Sequence, residues 1–216
     1  MREQTVVTTL HTGPLGTNTY IVRGAKAGAC FIIDPADYEK KVGPYLQANG
    51  LTCEAVLLTH CHFDHIMGVA ALQRQGAKVY IGEPDAQGLR DEAHNLGNGR
   101  IYAIEHCEPD VLLHDGDTID AAGFHLRVIA TPGHTKGGVC YLLESDGTLF
   151  SGDTLFYQEV GRCDLRGGDA WEMHRSLGRL TALPGDYAVL PGHSRPTTLQ
   201  HEREANIYIQ KDPSQW

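Results

Sequence analysis

The segment Thr59-His60-Cys61-His62-Phe63-Asp64-His65 carries three imidazoles and a carboxylate within six consecutive positions. Neutral imidazole is the commonest biological metal ligand, and a neighbouring carboxylate adds a harder, anionic one. The ordinary alternative is a polar turn with solvated histidines. Even in a chain with 12 histidines, however, this spacing arises by chance only rarely. The segment is read as a metal site. Cys61 lies between two candidate ligands, but alternation in an extended stretch points it the other way, so it reads as a buried thiol.

Partners for this cluster follow a repeated grammar. Residues 55–58 run as an apolar strand into Thr59-His60, and residues 128–130 run into Thr131-Pro132-Gly133-His134-Thr135. Leu149-Phe150 leads to Ser151-Gly152-Asp153, and Val189-Leu190 leads to Pro191-Gly192-His193. Strands fix the origins of loops, and Gly or Pro lets the chain turn tightly, so four strand ends can converge on one point. The candidates are His60, His62, Asp64, His65, His134, Asp153 and His193, enough for two divalent metal ions.

Further strand-length apolar runs occupy residues 6–10, 20–22, 30–33, 78–81 and 139–143. Helical spacing links Val42, Tyr45, Leu46 and Asn49, with Gly50 as the stop. A second stripe, Trp171, His174, Leu177 and Leu180, starts behind Asp169 with Glu172 three residues on, the pattern of a capped helix. Strands that later alternate with helices indicate an α/β fold with helices covering packed sheets. Asp34-Pro35 reads as a turn after a strand, with a role behind the site as hydrogen-bond acceptor for a ligand histidine as the alternative. His174 reads as a packing residue and Lys136 as solvated. Residues 91–108, which include Gly97, Asn98 and Gly99, read as a loop that could rim the site. His11, His94, His106, His114, His125 and His201 follow no ligand grammar.

The whole chain, residues 1–216, fits one domain with a sizeable core. Hydrophobic residues make up 41% and charged ones 21%, ordinary for a soluble protein. A net charge of −9 and the lack of any Lys/Arg run exclude a nucleic-acid footprint. The N-terminal sequence does not resemble a secretory signal, and no stretch is long and apolar enough to span a bilayer. The six cysteines contain no Cys-x-x-Cys pair and read as reduced thiols, which suggests a cytoplasmic setting.

These motifs together resemble the metallo-β-lactamase-fold hydrolases, and among them the glyoxalase II group. The likeness rests on Thr59-His60-x-His62-x-Asp64-His65, Thr131-Pro132-Gly133-His134-Thr135, Gly152-Asp153-Thr154-Leu155-Phe156 and Pro191-Gly192-His193. The stretch Val160-Gly161-Arg162-Cys163-Asp164-Leu165-Arg166-Gly167-Gly168-Asp169 is similar to short bacterial glyoxalase-II-like members. The resemblance implies a four-layer αββα sandwich with the site at one edge. It implies one metal on His60, His62 and His134, a second on Asp64, His65 and His193, and Asp153 bridging. Zinc is the default occupant, and iron or manganese could take the same ligands. A hydroxide held between two cations near neutral pH would be the nucleophile, oriented by Asp64, and the substrate a small-molecule thioester such as an S-2-hydroxyacylglutathione. Relatives that hydrolyse β-lactams generally do not bridge with this aspartate. Persulfide dioxygenases share most of the motifs but use one iron, and they are the main rival. Full-size glyoxalase II enzymes grip glutathione with a basic C-terminal region, whereas about twenty residues follow His193 here. Arg162 is then the best remaining anionic contact.

Overall fold

Alternation decides the layers. Cys30 and Ile32 point one way from their strand and Phe31 and Ile33 the other, yet all four are buried. A strand covered on both faces belongs inside a stack. The computed structural model describes residues 4–25, 28–97, 102 and 104–216. They form two six-stranded sheets, each ordered as in the sequence. The first comprises β1 (Thr5–Thr12), β2 (Thr17–Gly24), β3 (Ala29–Ile33), β4 (Thr52–Leu57), β5 (Lys78–Gly82) and β6 (Val111–Leu113). The second comprises β7 (Thr118–Ala121), β8 (Phe124–Ala130), β9 (Val139–Leu143), β10 (Thr148–Gly152), β11 (Ala188–Pro191) and β12 (Thr197–Thr198).

Helices follow wherever neighbouring strands run parallel, because a parallel connection must cross over a face. Between β3 and β4 lies α1 (Val42–Asn49); between β4 and β5 lie the single turn α2 (Phe63–Ile66) and α3 (Val69–Arg74). The turn α4 (Glu92–Asn95) precedes β6, and α5 (Ala170–Thr181) joins the parallel pair β10 and β11. The chain then runs through α6 (Leu199–Ala205) and α7 (Ile207–Gln210).

Three buried clusters correspond to the three interfaces of an αββα stack. On the outer face of the first sheet, Cys30, Ile32, Val56 and Val79 meet Val42 and Leu46 of α1 and Val69 and Leu72 of α3. Between the sheets, Tyr20, Phe31, Ile33 and Leu57 meet Val128, Tyr141, Leu143 and Phe150. Beyond the second sheet, Cys140, Leu142, Leu149 and Val189 meet Met173, Leu177 and Leu180 of α5. Each large apolar side chain buried here contributes about 1.5–3 kcal/mol of transfer free energy. The four-layer expectation holds.

Some elements differ from the sequence reading. Asp169 caps α5 by accepting from the backbone N–H groups of Trp171 and Glu172 at 2.8 and 3.0 Å, but Glu172 turns to Arg175 and does not complete a capping box. The buried face of α5 is Met173, Ser176, Leu177 and Leu180, which leaves Trp171 in solvent and His174 half-buried against Trp216. The loop read over residues 91–108 contains the helical turn α4, capped by Asp91. Residues 98–101 and 103 of that loop, including Asn98 and Gly99, lie outside the described residues, as does the start of the chain at residues 1–3.

Candidate metal centre

The carboxyl-terminal ends of β4, β8, β10 and β11 open on one edge of the two sheets. Backbone hydrogen bonds there tie one ligand-bearing loop to the next: the Gly192 N–H donates to the Gly152 carbonyl at 2.8 Å, and the Val139 N–H to the Thr59 carbonyl at 2.8 Å. Gly192 has to be glycine, because a Cβ there would collide with the Asp153 carboxylate and meet His65 Cε1 at 2.8 Å. Closing this seam brings all seven candidate residues together.

They form two clusters. Ring nitrogens of His60, His62 and His134 lie within 4.8 Å of one another, and so do ligand atoms of Asp64, His65 and His193. The carboxylate of Asp153 stands between them. Its Oδ2 is 3.5 Å from His134 Nε2 and 3.7 Å from His193 Nε2, and its Oδ1 is 3.5 Å from His65 Nε2.

The residues behind the clusters set which nitrogen faces inward. The Asp34 carboxylate accepts from the Thr59 N–H at 2.8 Å, from Thr59 Oγ1 at 2.6 Å and from His65 Nδ1 at 2.9 Å. With its proton committed to Asp34, Thr59 Oγ1 can only accept from His60 Nδ1, 3.1 Å away. One carboxylate therefore orients a histidine in each cluster, fixes the tautomer of His60 through Thr59 and turns both Nε2 atoms inward. The turn reading of Asp34 is corrected: it is 1% exposed and holds φ of 50°, a left-handed conformation that Asp tolerates better than most residues. His134 Nδ1 donates to the Arg162 carbonyl at 2.7 Å, which leaves His134 Nε2 inward. Thr17 Oγ1 donates to Asp64 Oδ2 at 3.1 Å.

The donor set fits cations. His60 Nε2 and Asp153 Oδ1 are buried without a hydrogen-bond partner, which is costly unless something else satisfies them. His62 Nδ1 and His134 Nε2 lie 2.8 Å apart, a distance that demands a shared proton or a cation between two lone pairs. Electrostatics separates the clusters. Burial, reinforced by neighbouring imidazoles, drives His60 well below the usual histidine range and His62 to about 3. Burial acts the same way on His65, but the carboxylates of Asp64, Asp153 and Asp34 overcome it and raise that imidazole to about 10. Burial likewise opposes ionisation of Asp64, yet His65 and His193 hold its carboxyl below the ordinary range.

A cleft of about 480 Å³ opens onto the clusters, with His62, Asp64, His134, Asp153 and His193 on its floor. Leu15, Phe63, Leu96, Phe156 and Leu165 form apolar walls. Arg162 sits on the rim, but its guanidinium is doubly bonded to Asp164 at 2.7 and 2.8 Å. Cys61 is buried and takes no part, and Lys136 is exposed. The sequence reading missed Thr17 and Asp85, whose bonding partners lie far away in the chain. For Thr17 no local signal existed.

Residues 12–193 match the model of the metallo-β-lactamase superfamily. The chain belongs to that superfamily. It is 34% identical to the probable metallo-hydrolase YqgX of Bacillus subtilis (strain 168) over 201 residues, which cover 91% of this chain and 94% of that one. Among solved structures it is similar to the BLEG-1 B3 metallo-β-lactamase, with a TM-score of 0.89 and 32% identity over 95% of this chain and 100% of that one. It is also similar to TTHA1623 in a di-iron-bound form, with a TM-score of 0.78 and 35% identity over 93% and 98%. Among the described residues no helix is long and apolar enough to cross a membrane.

Proposed function

We propose that the protein is a dinuclear metal-dependent hydrolase whose substrates are acyl thioesters of the S-2-hydroxyacylglutathione type. The position of the Asp153 carboxylate, within 3.7 Å of histidine nitrogens from both clusters, carries the reading. A carboxylate between two donor sets offsets the repulsion of two cations about 3.5–4 Å apart. In this reading His60, His62 and His134 hold one ion, and Asp64, His65 and His193 hold the other. Such ions, when bound, polarise the acyl carbonyl and lower the pKa of water. Zinc suits the imidazole-rich set, and the di-iron neighbour makes iron the alternative occupant.

The chain's own groups do the rest. Asp64, anchored by Thr17, presents an ionised carboxylate at the cleft floor where it can hold and orient the attacking water. Asp34, Thr59 and the Arg162 carbonyl keep the histidines in one tautomer, so no reorientation is needed as charge develops. Leu15, Phe63, Leu96, Phe156 and Leu165 exclude water and hold the apolar part of the thioester. With Arg162 paired to Asp164, the grip on glutathione carboxylates is weak, so KM for glutathione thioesters is high while kcat is retained.

A panel of thioesters, lactones, phosphodiesters and a chromogenic cephalosporin, assayed without oxygen, tests this reading. Thioester turnover that does not saturate readily is the expected result. The likeness to the B3 enzyme supports a second reading, and cephalosporin hydrolysis without thioester turnover would establish it in place of the first.

A further inference from the structure

Asp85 belongs to none of the motifs above, yet its side chain touches both loops that carry the three-histidine cluster. It lies in a 3₁₀ segment, Glu83–Leu89, that follows β5, and it is 4% exposed. Its Oδ2 accepts from the backbone N–H of Cys61, at 3.1 Å, midway between His60 and His62. Its Oδ1 accepts from the backbone N–H of Gly137, at 2.7 Å, three residues after His134. Gly137 is built for this approach, because a Cβ at that position would lie 2.7 Å from both Cβ and Cγ of Asp85.

We infer that Asp85 is a positioning residue, a strut that sets the separation of the His60/His62 loop from the His134 loop and thereby the geometry of the three-histidine site. The inference rests on that cluster holding a metal. Three features support the assignment. A carboxylate has two acceptor oxygens and no donor, so it can receive both amides at once. The two amides belong to segments 76 residues apart in the chain, and among the described hydrogen bonds Asp85 is the side chain that accepts from both, beside the direct contact of His62 Nδ1 with His134 Nε2 and the backbone bond from Val139 to Thr59. Asp34 serves a histidine in each cluster and Thr17 supports Asp64 of the second, whereas Asp85 bonds to the two loops that carry His60, His62 and His134. Groups that orient ligands in this way typically change metal affinity by about 10–100-fold when replaced.

Asparagine at this position keeps the shape but turns one acceptor into a donor, which sets an NH2 group against a backbone N–H. The test compares Asp85→Asn with the unaltered residue in two backgrounds, His193→Ala, which retains the three-histidine site, and His134→Ala, which retains the other. Zinc affinity is measured by competition with a chromophoric chelator, and the absorption of the cobalt-loaded protein reports coordination geometry. In the His193→Ala background Asp85→Asn is expected to weaken zinc about 10–100-fold and alter the cobalt spectrum. In the His134→Ala background zinc affinity should change by less than about threefold and the cobalt spectrum should match the control, because the ligands left there do not need the spacing that Asp85 sets. Gly137→Ala, which spreads the same seam without removing a polar group, should reproduce the pattern if Asp85→Asn does not fold. Unchanged affinity in the first background, or equal losses in both, would overturn the strut. Failure of the metallohydrolase reading looks different: the unsubstituted protein itself would then take up fewer than two metals.

Discussion

The two clusters meet at Asp153 but are built on opposite electrostatic plans. His60, His62 and His134 form a set of imidazoles, of which His60 and His62 are driven towards neutrality by burial and by one another. Asp64, His65 and His193 form a set in which carboxylates dominate, and His65 answers them by holding a proton up to about pH 10. The first set presents bare lone pairs, whereas the second carries its own positive charge until a cation replaces it. A single edge of one fold can therefore offer two sites that differ in proton cost, with one carboxylate shared between them.

Removing the shared group gives the largest expected effect. Asp153→Ala should take metal content from two per chain to one or none, with activity falling by at least about 10²–10³-fold, the loss typical of deleting one preorganised charge-stabilising group. Metal analysis and thioester turnover on one preparation read both. Retention of two metals would show that the clusters are independent.

The next effect separates the clusters. Asp34→Asn preserves shape and tolerates the positive φ, but an amide serves poorly as the acceptor for both His65 and Thr59. Metal affinity should fall by about 10–100-fold in both clusters, since Asp34 orients a histidine in each. A loss confined to the second cluster would mean that the relay through Thr59 to His60 carries no energy.

The proton inventory comes third. For the metal-stripped protein, the raised His65 value means that its imidazolium stabilises the fold fully below the ordinary histidine pKa of about 6.5. That contribution then fades as pH rises through about 10. Melting temperature should accordingly decline across that window, and less so in His65→Gln. Loading metal near pH 7.5 should release a proton from the second cluster and none from His60 or His62. A stripped protein whose stability is flat across this range would contradict the contrast between the clusters.

The smallest effect lies at the rim. An exposed pair such as Arg162–Asp164 leaves little net charge for a substrate, so Arg162→Ala should lower kcat/KM for anionic thioesters by less than about tenfold. Asp164→Asn, by freeing the guanidinium, should lower KM for the same substrates and spare neutral ones. If both variants act equally on charged and neutral thioesters, the pair shapes the loop and does not read charge.

What was legible in the sequence follows the same division. The seven residues of the clusters could be picked out because strand-end grammar is local: an apolar run, a Gly or Pro, then a ligand type. The layers were legible because β3, β9 and the second half of β4 are apolar on both faces. The edge strands were not: Val111–Leu113 is three residues long, Thr118–Ala121 carries two apolar residues, and Thr197–Thr198 has none. Asp34 reads as a turn in the sequence because its partners, 25 and 31 residues on, come together only in the folded sheet. Asp85 gave no signal, because its work is done through the backbone of Cys61 and Gly137. Side-chain chemistry marks the groups that could hold a metal, and the supports that aim them emerge only from tertiary contact.

In the proposed function Asp153 joins two metal sites into one hydrolytic centre. Metal quantification of the purified protein, combined with thioester turnover measured with and without oxygen, tests it most directly. Close to two metals per chain and the same rate under both atmospheres are the expected result. One tightly bound iron per chain with turnover that consumes oxygen would contradict it.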